Sequence, residues 1–257
     1  MNDSTPRALI TGASSGLGAE FARQLAAQGY DLILLARRRD RLESLARELP
    51  VESYIVTADL SQPAAPASVV AELEAQGLHV DLLVNNAGIA GPDLLLDRDW
   101  PEHQEFLQLM MVSPAALCHL LVPKMVEKGE GAVINVASVA GRIPRSGPCH
   151  YGAVKAYLVM LSEELNLTVA AHGVKVTALC PGFTHTEFHE VAGLENMKAA
   201  LPTWIWYDAD VVVRDALNGV ARGRPIVISG RLYRWLDPFL QSVWTRRLFR
   251  IRARPGI

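Results

Sequence analysis

The stretch RALITGASSGLGAEFARQLAAQG, residues 7–29, decides the fold that we expect for this chain. It begins with an apolar run, continues through the glycine-rich turn GASSGLG at 12–18, and ends as an amphipathic helical pattern. A strand, a glycine-rich turn and a helix in this order form the unit that cradles phosphate groups in dinucleotide sites. A purely structural loop is the alternative, but the position of the turn between strand and helix favours a phosphate site.

The three glycines of this turn have separate expected purposes. Gly12 permits the tight turn, Gly16 lets a pyrophosphate approach the backbone, and Gly18 allows the helix to pack closely on the strand. Their spacing is GxxxGxG and not the GxGxxG fingerprint of many dinucleotide sites, so the turn alone does not identify the protein.

Apolar runs alternate with helical segments along the chain, which predicts an α/β fold with a doubly wound, Rossmann-type parallel sheet. We expect about seven strands with helices on both faces, in a single domain that spans residues 5–230. The strands are expected at 7–11, 31–36, 51–58, 80–84, 131–137, 174–179 and 225–229. In such sheets the ligand binds at the carboxyl ends of the strands.

The composition fits one globular domain and excludes several classes of function. Of the 257 residues 50% are apolar and 20% are charged, and a net charge of −2 gives no basis for nucleic-acid binding by the whole surface. Cys118, Cys149 and Cys180 are odd in number and widely spaced, which indicates reduced thiols and no metal site. The first residues lack the apolar core of a signal peptide, so we expect a cytoplasmic protein.

An arginine cluster follows the second predicted strand, about where dinucleotide sites read the adenosine ribose. It consists of Arg37, Arg38 and Arg39, and no acidic residue lies among them. An acid here binds the ribose 2′-hydroxyl of NAD, whereas arginine suits the 2′-phosphate of NADP, so the cluster favours NADP(H). A solvated helix entry is the alternative. Asp59 and Leu60, after the third strand, are expected near the adenine ring.

The stretch SVAGRIPRSGPCHYGAVK, residues 138–155, carries the candidate chemistry. Tyr151 and Lys155 share one face if the segment is helical, because they are four residues apart. A free phenol has a pKa of about 10, and an ammonium about 5 Å away would lower that pKa by roughly two units, towards a range useful for proton transfer. Ser138 could then hydrogen-bond the oxygen that gains or loses the proton. A buried tyrosine beside a surface lysine is the alternative.

Five motifs in order and spacing resemble those of the short-chain dehydrogenases/reductases. They are TGASSGLG at 11–18, NNAG at 85–88, Ser138, YGAVK at 151–155 and Pro181-Gly182. The resemblance covers roughly residues 5–230 and extends to the subgroup of hydroxysteroid dehydrogenases and carbonyl reductases. It implies an NADP(H)-dependent oxidoreductase in which Tyr151 is the general acid or base, Ser138 orients the carbonyl group and Lys155 holds the nicotinamide ribose.

The resemblance also implies a set of cofactor-binding residues. They are Gly12, Ser14, Ser15, Gly16, Leu17, Gly18, Arg37, Arg38, Asp59, Leu60, Asn85, Ala87, Gly88, Tyr151, Lys155, Pro181, Gly182, Thr184 and Thr186. The family's usual assembly implies a homodimer or homotetramer formed through the helices near 101–128 and 148–171. The residues alone leave open whether an amide such as that of Asn85 bridges the next strand or contacts the ribose.

One position departs from the family pattern. The helix position that usually carries an asparagine, which holds a water linking the lysine to solvent, falls at Met110. A thioether accepts hydrogen bonds only weakly and donates none. The relay could run through another group such as Ser113, turnover could be slow, or the chain could be an NADP(H)-binding regulatory or interaction protein. The intact catalytic trio favours an enzyme.

Residues 183–208 follow the sixth strand, where this fold carries its substrate lid. Their apolar and aromatic members are Phe183, Phe188, Met197, Leu201, Trp204, Trp206 and Tyr207. Such a lid suits a hydrophobic carbonyl or alcohol substrate, although core packing or a subunit contact would explain the same residues. His185 and His189 are four apart, but no third ligand is evident and we expect no metal site.

Residues 231–257 form a basic, aromatic-rich C-terminal arm. Its part 231–254 carries seven arginines and one acid among tryptophan, phenylalanine and leucine side chains. Such a segment could make peripheral contact with an anionic membrane surface, although it is too charged to span a bilayer. The alternative, which we prefer at this point, is an arm that packs on its own domain or on a neighbouring subunit.

Overall fold

The computed structural model describes residues 5–144, 147, 149–186 and 202–245. The strands are β1 Arg7–Thr11, β2 Asp31–Ala36, β3 Ser53–Thr57, β4 Leu82–Asn85, β5 Gly131–Val136, β6 Val174–Cys180, β7 Phe183–His185, β8 Trp206–Asp208 and β9 Ile226–Ile228. The α-helices are α1 Gly16–Ala27, α2 Arg39–Glu48, α3 Ala65–Ala75, α4 Trp100–Leu107, α5 Ser113–Lys128, α6 Cys149–Val169, α7 Ala209–Ala221 and α8 Arg231–Gln241.

Seven strands pair in parallel to form one sheet of order β3-β2-β1-β4-β5-β6-β9. This confirms the predicted Rossmann-type sheet. The sequence did not predict β7 and β8, which form a separate parallel pair in the lid segment. The strand order reverses between β1 and β4, and a ligand crevice is expected beyond the carboxyl ends of the strands at such a switch point.

The sheet is buried on both faces because its strands alternate between two apolar layers. On β1, Ala8 and Ile10 pack in the layer that contains α1 and α7, whereas Leu9 packs in the layer that contains α3 and α5. A parallel sheet covered by helices on both sides requires strands that are apolar at successive positions. The run DLILLA in β2 meets that requirement.

The chain is helical throughout Trp100–Lys128, in three parts: α4, a single-turn π-helix at Gln108–Val112, and α5. By length and composition this helix could cross a membrane, but half of its most apolar window is buried inside the protein. Its α5 part packs in the same layer as α3 against the sheet. It is therefore a core helix of the domain. Single π turns often occur at functional sites, and this one contains Met110.

The described part of the C-terminal arm packs on its own domain. Asp237 on α8 forms a two-pronged ion pair with Arg142, which follows β5, and the second contact measures 2.6 Å. Tyr233 on α8 covers Gly182, since a Cβ added at Gly182 would lie 2.0 Å from the tyrosine ring. Residues 246–257 lie outside the described part of the chain.

Candidate active site

The turn after β1 is built by glycines whose replacement would cause strain or collision. Gly12 and Gly16 have φ angles of +66° and +55°, in the left-handed region that favours glycine. A Cβ added at Gly18 would lie 2.2 Å from the carbonyl oxygen of Gly12, so α1 packs directly on the turn. The structure thus shows the tight turn and the close packing that the sequence predicts. Pyrophosphate binding at this turn stays a prediction.

Thr11 and Asn86 tie the glycine turn to the segment after β4. The Thr11 hydroxyl accepts the backbone N–H groups of Asn86 and Ala87, both at 2.9 Å. The Asn86 side-chain amide donates to the carbonyl oxygens of Thr11 at 2.9 Å and Gly12 at 3.3 Å. Sequence reasoning did not include Asn86 among the site residues. The parallel pairing of Ile10 with Val84 places position 86 beside the turn, and this register is invisible without the sheet order.

Asn85 belongs to the core and not to the wall of the crevice. Its side chain is buried and donates to Asn135 Oδ1 at 2.9 Å, and the Asn135 amide donates in turn to Ser162 Oγ at 2.9 Å. This chain of polar groups joins β4, β5 and α6. Of the two expected roles of the Asn85 amide, the structure shows the bridge to the next strand, and the contact with the ribose stays a prediction.

The arginine cluster splits into three different roles. Arg38 donates to the hydroxyls of Ser14 at 2.9 Å and Ser15 at 3.0 Å, so its guanidinium lies over the glycine turn. Arg37 lies 3.8 Å from the Asp59 carboxylate at the end of β3. The third arginine pairs with Glu43 one turn along α2 and points along its own helix. Arg37 and Arg38 are therefore the two whose charges lie beside the glycine turn and the end of β3.

The end of β3 differs from the sequence expectation at Leu60. Its side chain is buried in an apolar layer against the sheet, so only its backbone could contact an adenine ring, and that contact stays a prediction. The Leu60 carbonyl accepts the Ser113 hydroxyl at 2.6 Å, and that hydroxyl also accepts the Gln108 side-chain amide at 3.1 Å. Ser113 is fully buried and uses its single hydroxyl proton in this contact. It is therefore not available as the substitute relay group.

The three candidate catalytic residues come from β5 and α6. Ser138 follows β5 in extended conformation, and its hydroxyl accepts the Ala140 N–H at 3.1 Å. Tyr151 and Lys155 lie one turn apart near the start of α6, as the sequence predicts, and the Lys155 Nζ is 5.8 Å from the centre of the tyrosine ring. A backbone bond from the Val139 N–H to the Pro181 carbonyl, at 3.0 Å, joins this strand end to the end of β6.

Lys155 is a buried cation. Only 5% of the residue is exposed, and its Nζ donates to the Val136 carbonyl at 2.7 Å. Burial disfavours the charged form and lowers the pKa of Lys155 to about 8. An anionic phenolate beside this ammonium would oppose that shift, because opposite charges at short range stabilise each other. A phenolate at Tyr151 and the ammonium of Lys155 would therefore stabilise each other.

Met110, where the family resemblance implies an asparagine, presents only apolar surface and a thioether sulfur. It is 1% exposed and packs with Phe106 and Val154 in a cluster that also contacts Tyr151. Its sulfur accepts the Ile89 N–H at 3.4 Å. A weak acceptor within an apolar cluster gives no polar path from the catalytic helix through this position.

The segment after β6 returns across the glycine turn. A Cβ added at Gly16 would lie 3.4 Å from the Thr186 Cβ, so Thr186 and the turn line the same crevice. The buried hydroxyl of Thr184 donates to the Gly182 carbonyl at 3.2 Å and fixes the start of this segment. Of the two candidate metal ligands, His185 stacks on Trp206, and position 189 lies outside the described residues. Among the described residues no cluster of metal-binding side chains occurs.

The crevice fits a dinucleotide with an extra phosphate on its adenosine ribose. One part of it has backbone glycines without Cβ atoms, the exposed guanidinium groups of Arg37 and Arg38 lie beside these glycines, and Ser138, Tyr151 and Lys155 lie at the same edge of the sheet. A family model described as short chain dehydrogenase matches residues 6–196. The chain belongs to the short-chain dehydrogenases. The family resemblance seen in the sequence is thereby confirmed.

Known short-chain dehydrogenases are similar over most of the chain. Sulfoacetaldehyde reductase 2 of Chromohalobacter salexigens is 38% identical over 184 residues, which cover 70% of this chain and 73% of that protein. A short-chain dehydrogenase from Sphingobium yanoikuyae, solved in complex with NADPH, is 32% identical, with a TM-score of 0.80 and 98% of each chain covered. The bulky-bulky ketone specific alcohol dehydrogenase from Comamonas testosteroni is 28% identical, with a TM-score of 0.75 and coverage of 98% and 96%.

The buried ammonium predicts that Lys155→Met stabilises the protein without cofactor at neutral pH. The pKa of Lys155 is about 8 in the folded protein and 10.5 in its ordinary state. Between pH 8 and pH 10.5 this lysine therefore binds fewer protons in the folded state than in the unfolded state. The stability of the native protein therefore rises with pH across this window. Below the window the buried lysine is charged, and the full free-energy cost of burying that charge reduces stability. We expect a gain of roughly 2 kcal/mol for the variant at pH 7, after allowing for the lost bond to Val136.

Thermal melts of the two proteins at pH 7 and pH 10 measure this effect. The advantage of the variant should shrink at pH 10, where the native lysine is mostly neutral. Lys175→Met, at an exposed lysine on β6, is the matched control and should change stability little at either pH. A lower melting temperature for Lys155→Met than for the native protein at pH 7 would contradict the interpretation.

Proposed function

We propose that this chain is an NADP(H)-dependent oxidoreductase that interconverts a carbonyl group and a secondary alcohol, as in the hydroxysteroid dehydrogenase and carbonyl reductase subgroup. The observation that carries the proposal is the position of Tyr151 and the buried Lys155 on one face of α6, beside Ser138. These groups lie at the same edge of the sheet as the glycine turn that Arg38 covers.

Each catalytic residue has a distinct role in the proposed reaction. When bound, the nicotinamide cofactor would supply the hydride in reduction and accept it in oxidation. Tyr151 gives its phenolic proton to the carbonyl oxygen in reduction and removes it in oxidation. Ser138 donates a hydrogen bond to the same oxygen and holds the carbonyl group in place. Lys155 stabilises the phenolate by its charge and would hold the nicotinamide ribose.

The expected consequence is that Tyr151→Phe abolishes turnover without abolishing cofactor binding. Loss of the proton donor should lower kcat by a factor of about 10²–10⁴. The measurement is NADPH oxidation against a panel of ketones, together with the rise in melting temperature that NADPH produces. Tyr157→Phe, at a partly exposed tyrosine on the same helix, is the matched control and should retain activity. Turnover by Tyr151→Phe at the rate of the native protein would contradict the proposed mechanism.

Arg38 supports the choice of NADP(H) over NAD(H). Its guanidinium lies over the glycine turn, and Arg37 lies next to it at the adenosine end. A planar guanidinium binds a phosphate with two parallel hydrogen bonds, whereas a ribose hydroxyl offers it no negative charge. The similar Sphingobium yanoikuyae enzyme was solved with NADPH, which supports the same choice.

We expect Arg38→Ala to weaken NADPH binding by about 10- to 100-fold and to leave NADH binding nearly unchanged, because only NADPH carries the 2′-phosphate. Dissociation constants for both cofactors measure the effect. Arg39→Ala is the matched control, since Arg39 pairs with Glu43 on its own helix and should affect neither cofactor. An equal loss for NADPH and NADH would show that Arg38 only shapes the turn.

A hydrophobic substrate suits the surroundings of the crevice. The loop that leaves Gly88 exposes Leu94, Leu95 and Leu96, and the lid side exposes Trp204. Apolar side chains near a few fixed polar groups are typical of sites for bulky organic ligands. The similar alcohol dehydrogenase from Comamonas testosteroni acts on bulky-bulky ketones. We therefore propose a ketone or secondary alcohol with large apolar groups on both sides.

A homo-oligomer in the cytoplasm completes the proposal. α6 exposes Tyr157, Met160 and Leu167, which lie on one side of the helix because they are separated by three and seven residues. An apolar stripe on a long surface helix suits a contact between two copies of the chain. Either a dimer or a tetramer is compatible with this stripe.

Met110 favours a second candidate function, a cofactor-binding regulatory protein with little turnover. The apolar cluster around Met110 provides no relay towards the buried Lys155. If the missing relay limits the rate, Met110→Asn should raise kcat several-fold, because an amide can position a water. Met110→Leu, which keeps the apolar volume, is the control and should not raise kcat. Undetectable ketone reduction by the native protein, with NADPH bound, would favour the regulatory function.

A further inference from the structure

The outward face of α8 is unusual for a helix that packs on a domain. A surface helix normally buries its apolar side and exposes charged and polar side chains. Here Trp235 is 77% exposed and Phe239 is 53% exposed, and they flank a shallow groove formed with Arg234 and Pro238. The apolar surface continues beyond the helix to Trp244, which is 89% exposed.

The inward face of α8 is already committed to the domain. It places Tyr233 on Gly182, Asp237 on Arg142, and Leu240 in the interior. The helix is therefore fixed in orientation, and its aromatic face cannot turn inwards without breaking an ion pair whose two side chains are 12% and 17% exposed. The exposed aromatic face is thus a fixed feature of the surface.

Positive charge is concentrated in the C-terminal segment that contains α8. Residues 231–257 contain seven of the 25 basic residues and one of the 27 acidic residues, which gives this segment a formal charge of +6 and residues 1–230 a charge of −8. The one acid, Asp237, is neutralised by Arg142. Arg231 and Arg234 lie on the exposed side of α8 with the aromatic residues, and Arg234 lies 3.9 Å from the carboxylate of Asp215 on α7.

We propose that the outward face of α8 binds an anionic lipid surface. Helices that lie in a membrane interface combine tryptophan, phenylalanine and leucine on one side with arginine and lysine at its border. Arginines near a negatively charged leaflet contribute about 1 kcal/mol each, and tryptophan is enriched at the headgroup level. Both features occur together on the described face of α8.

A second copy of the chain is a poorer occupant of this face. In a two-fold contact each surface meets its own copy, so the exposed arginines of one α8 would face those of the other. Like charges brought together oppose association, whereas anionic headgroups complement them. Docking at a membrane would also place the lipid surface beside the ends of β5 and β6, because α8 is anchored to Arg142 and Gly182.

Vesicle flotation tests the proposal directly and needs no knowledge of the substrate. The native protein should float with vesicles of phosphatidylcholine and phosphatidylserine, remain behind with phosphatidylcholine alone, and lose binding as salt is raised. Trp235→Ser/Phe239→Ser should reduce the bound fraction by about tenfold or more, because two large apolar side chains no longer enter the interface. The swap Trp235→Phe/Phe239→Trp keeps the apolar content and should retain binding.

Charge is tested in the same way. Arg231→Gln/Arg234→Gln should weaken flotation, and Arg231→Lys/Arg234→Lys should preserve it. Unchanged stabilisation by NADPH shows that each variant is folded. Flotation that is absent, insensitive to phosphatidylserine, or unchanged in the serine double variant would overturn the proposal. So would a smaller oligomer in sedimentation for that variant, which would make the face a contact between copies, or displacement from vesicles by DNA, which would point to nucleic acid.

Discussion

Parallel pairing of the strands is the constraint on which the site depends. Every strand of the seven-stranded sheet runs in the same direction, so the segments that follow β1, β4, β5 and β6 all emerge at one edge. Hydrogen bonds then join neighbouring segments: Thr11 holds the N–H groups of residues 86 and 87, and Val139 donates to Pro181. Thr11 is thereby joined to a segment 75 positions further along the chain. A change that disturbs the sheet order would therefore disperse the site even if every catalytic residue remained.

The interior of the site combines the buried ammonium of Lys155 with the apolar cluster around Met110. A buried ammonium requires compensation, and Val136 provides one carbonyl oxygen for it. Tyr151 also packs against the cluster of Met110, whose thioether cannot hold a water molecule as an asparagine amide at this position would. The charge of Lys155 is therefore stabilised by the backbone carbonyl of Val136 and, in the proposed reaction, by the phenolate of Tyr151. Solvent stabilises the charge of Lys155 less than it would in a site where an asparagine holds a water beside the lysine.

The sequence predicts those features that depend on local pattern. Apolar runs locate the seven strands to within two residues, and the four-residue spacing places Tyr151 and Lys155 on one helix face. Features that depend on which strands are neighbours are different. Asn85 points into the core and Asn86 reaches the glycine turn, although the two are adjacent and chemically identical. Ser113 is bound to Leu60 for the same reason, since only the packed fold brings α5 against the end of β3. On α8 the aromatic residues predict an apolar face, but only the ion pair of Asp237 shows that this face points outwards.

Gly182 illustrates how one residue can satisfy two unrelated demands. It stands in a motif by which the family is recognised, and the usual explanation of such a glycine is access for the cofactor. In this protein the ring of Tyr233 fills the space that any side chain at 182 would need. A glycine in such a motif can therefore be required by an aromatic ring 51 positions downstream, and its presence in a homologue is then evidence about architecture as much as about chemistry.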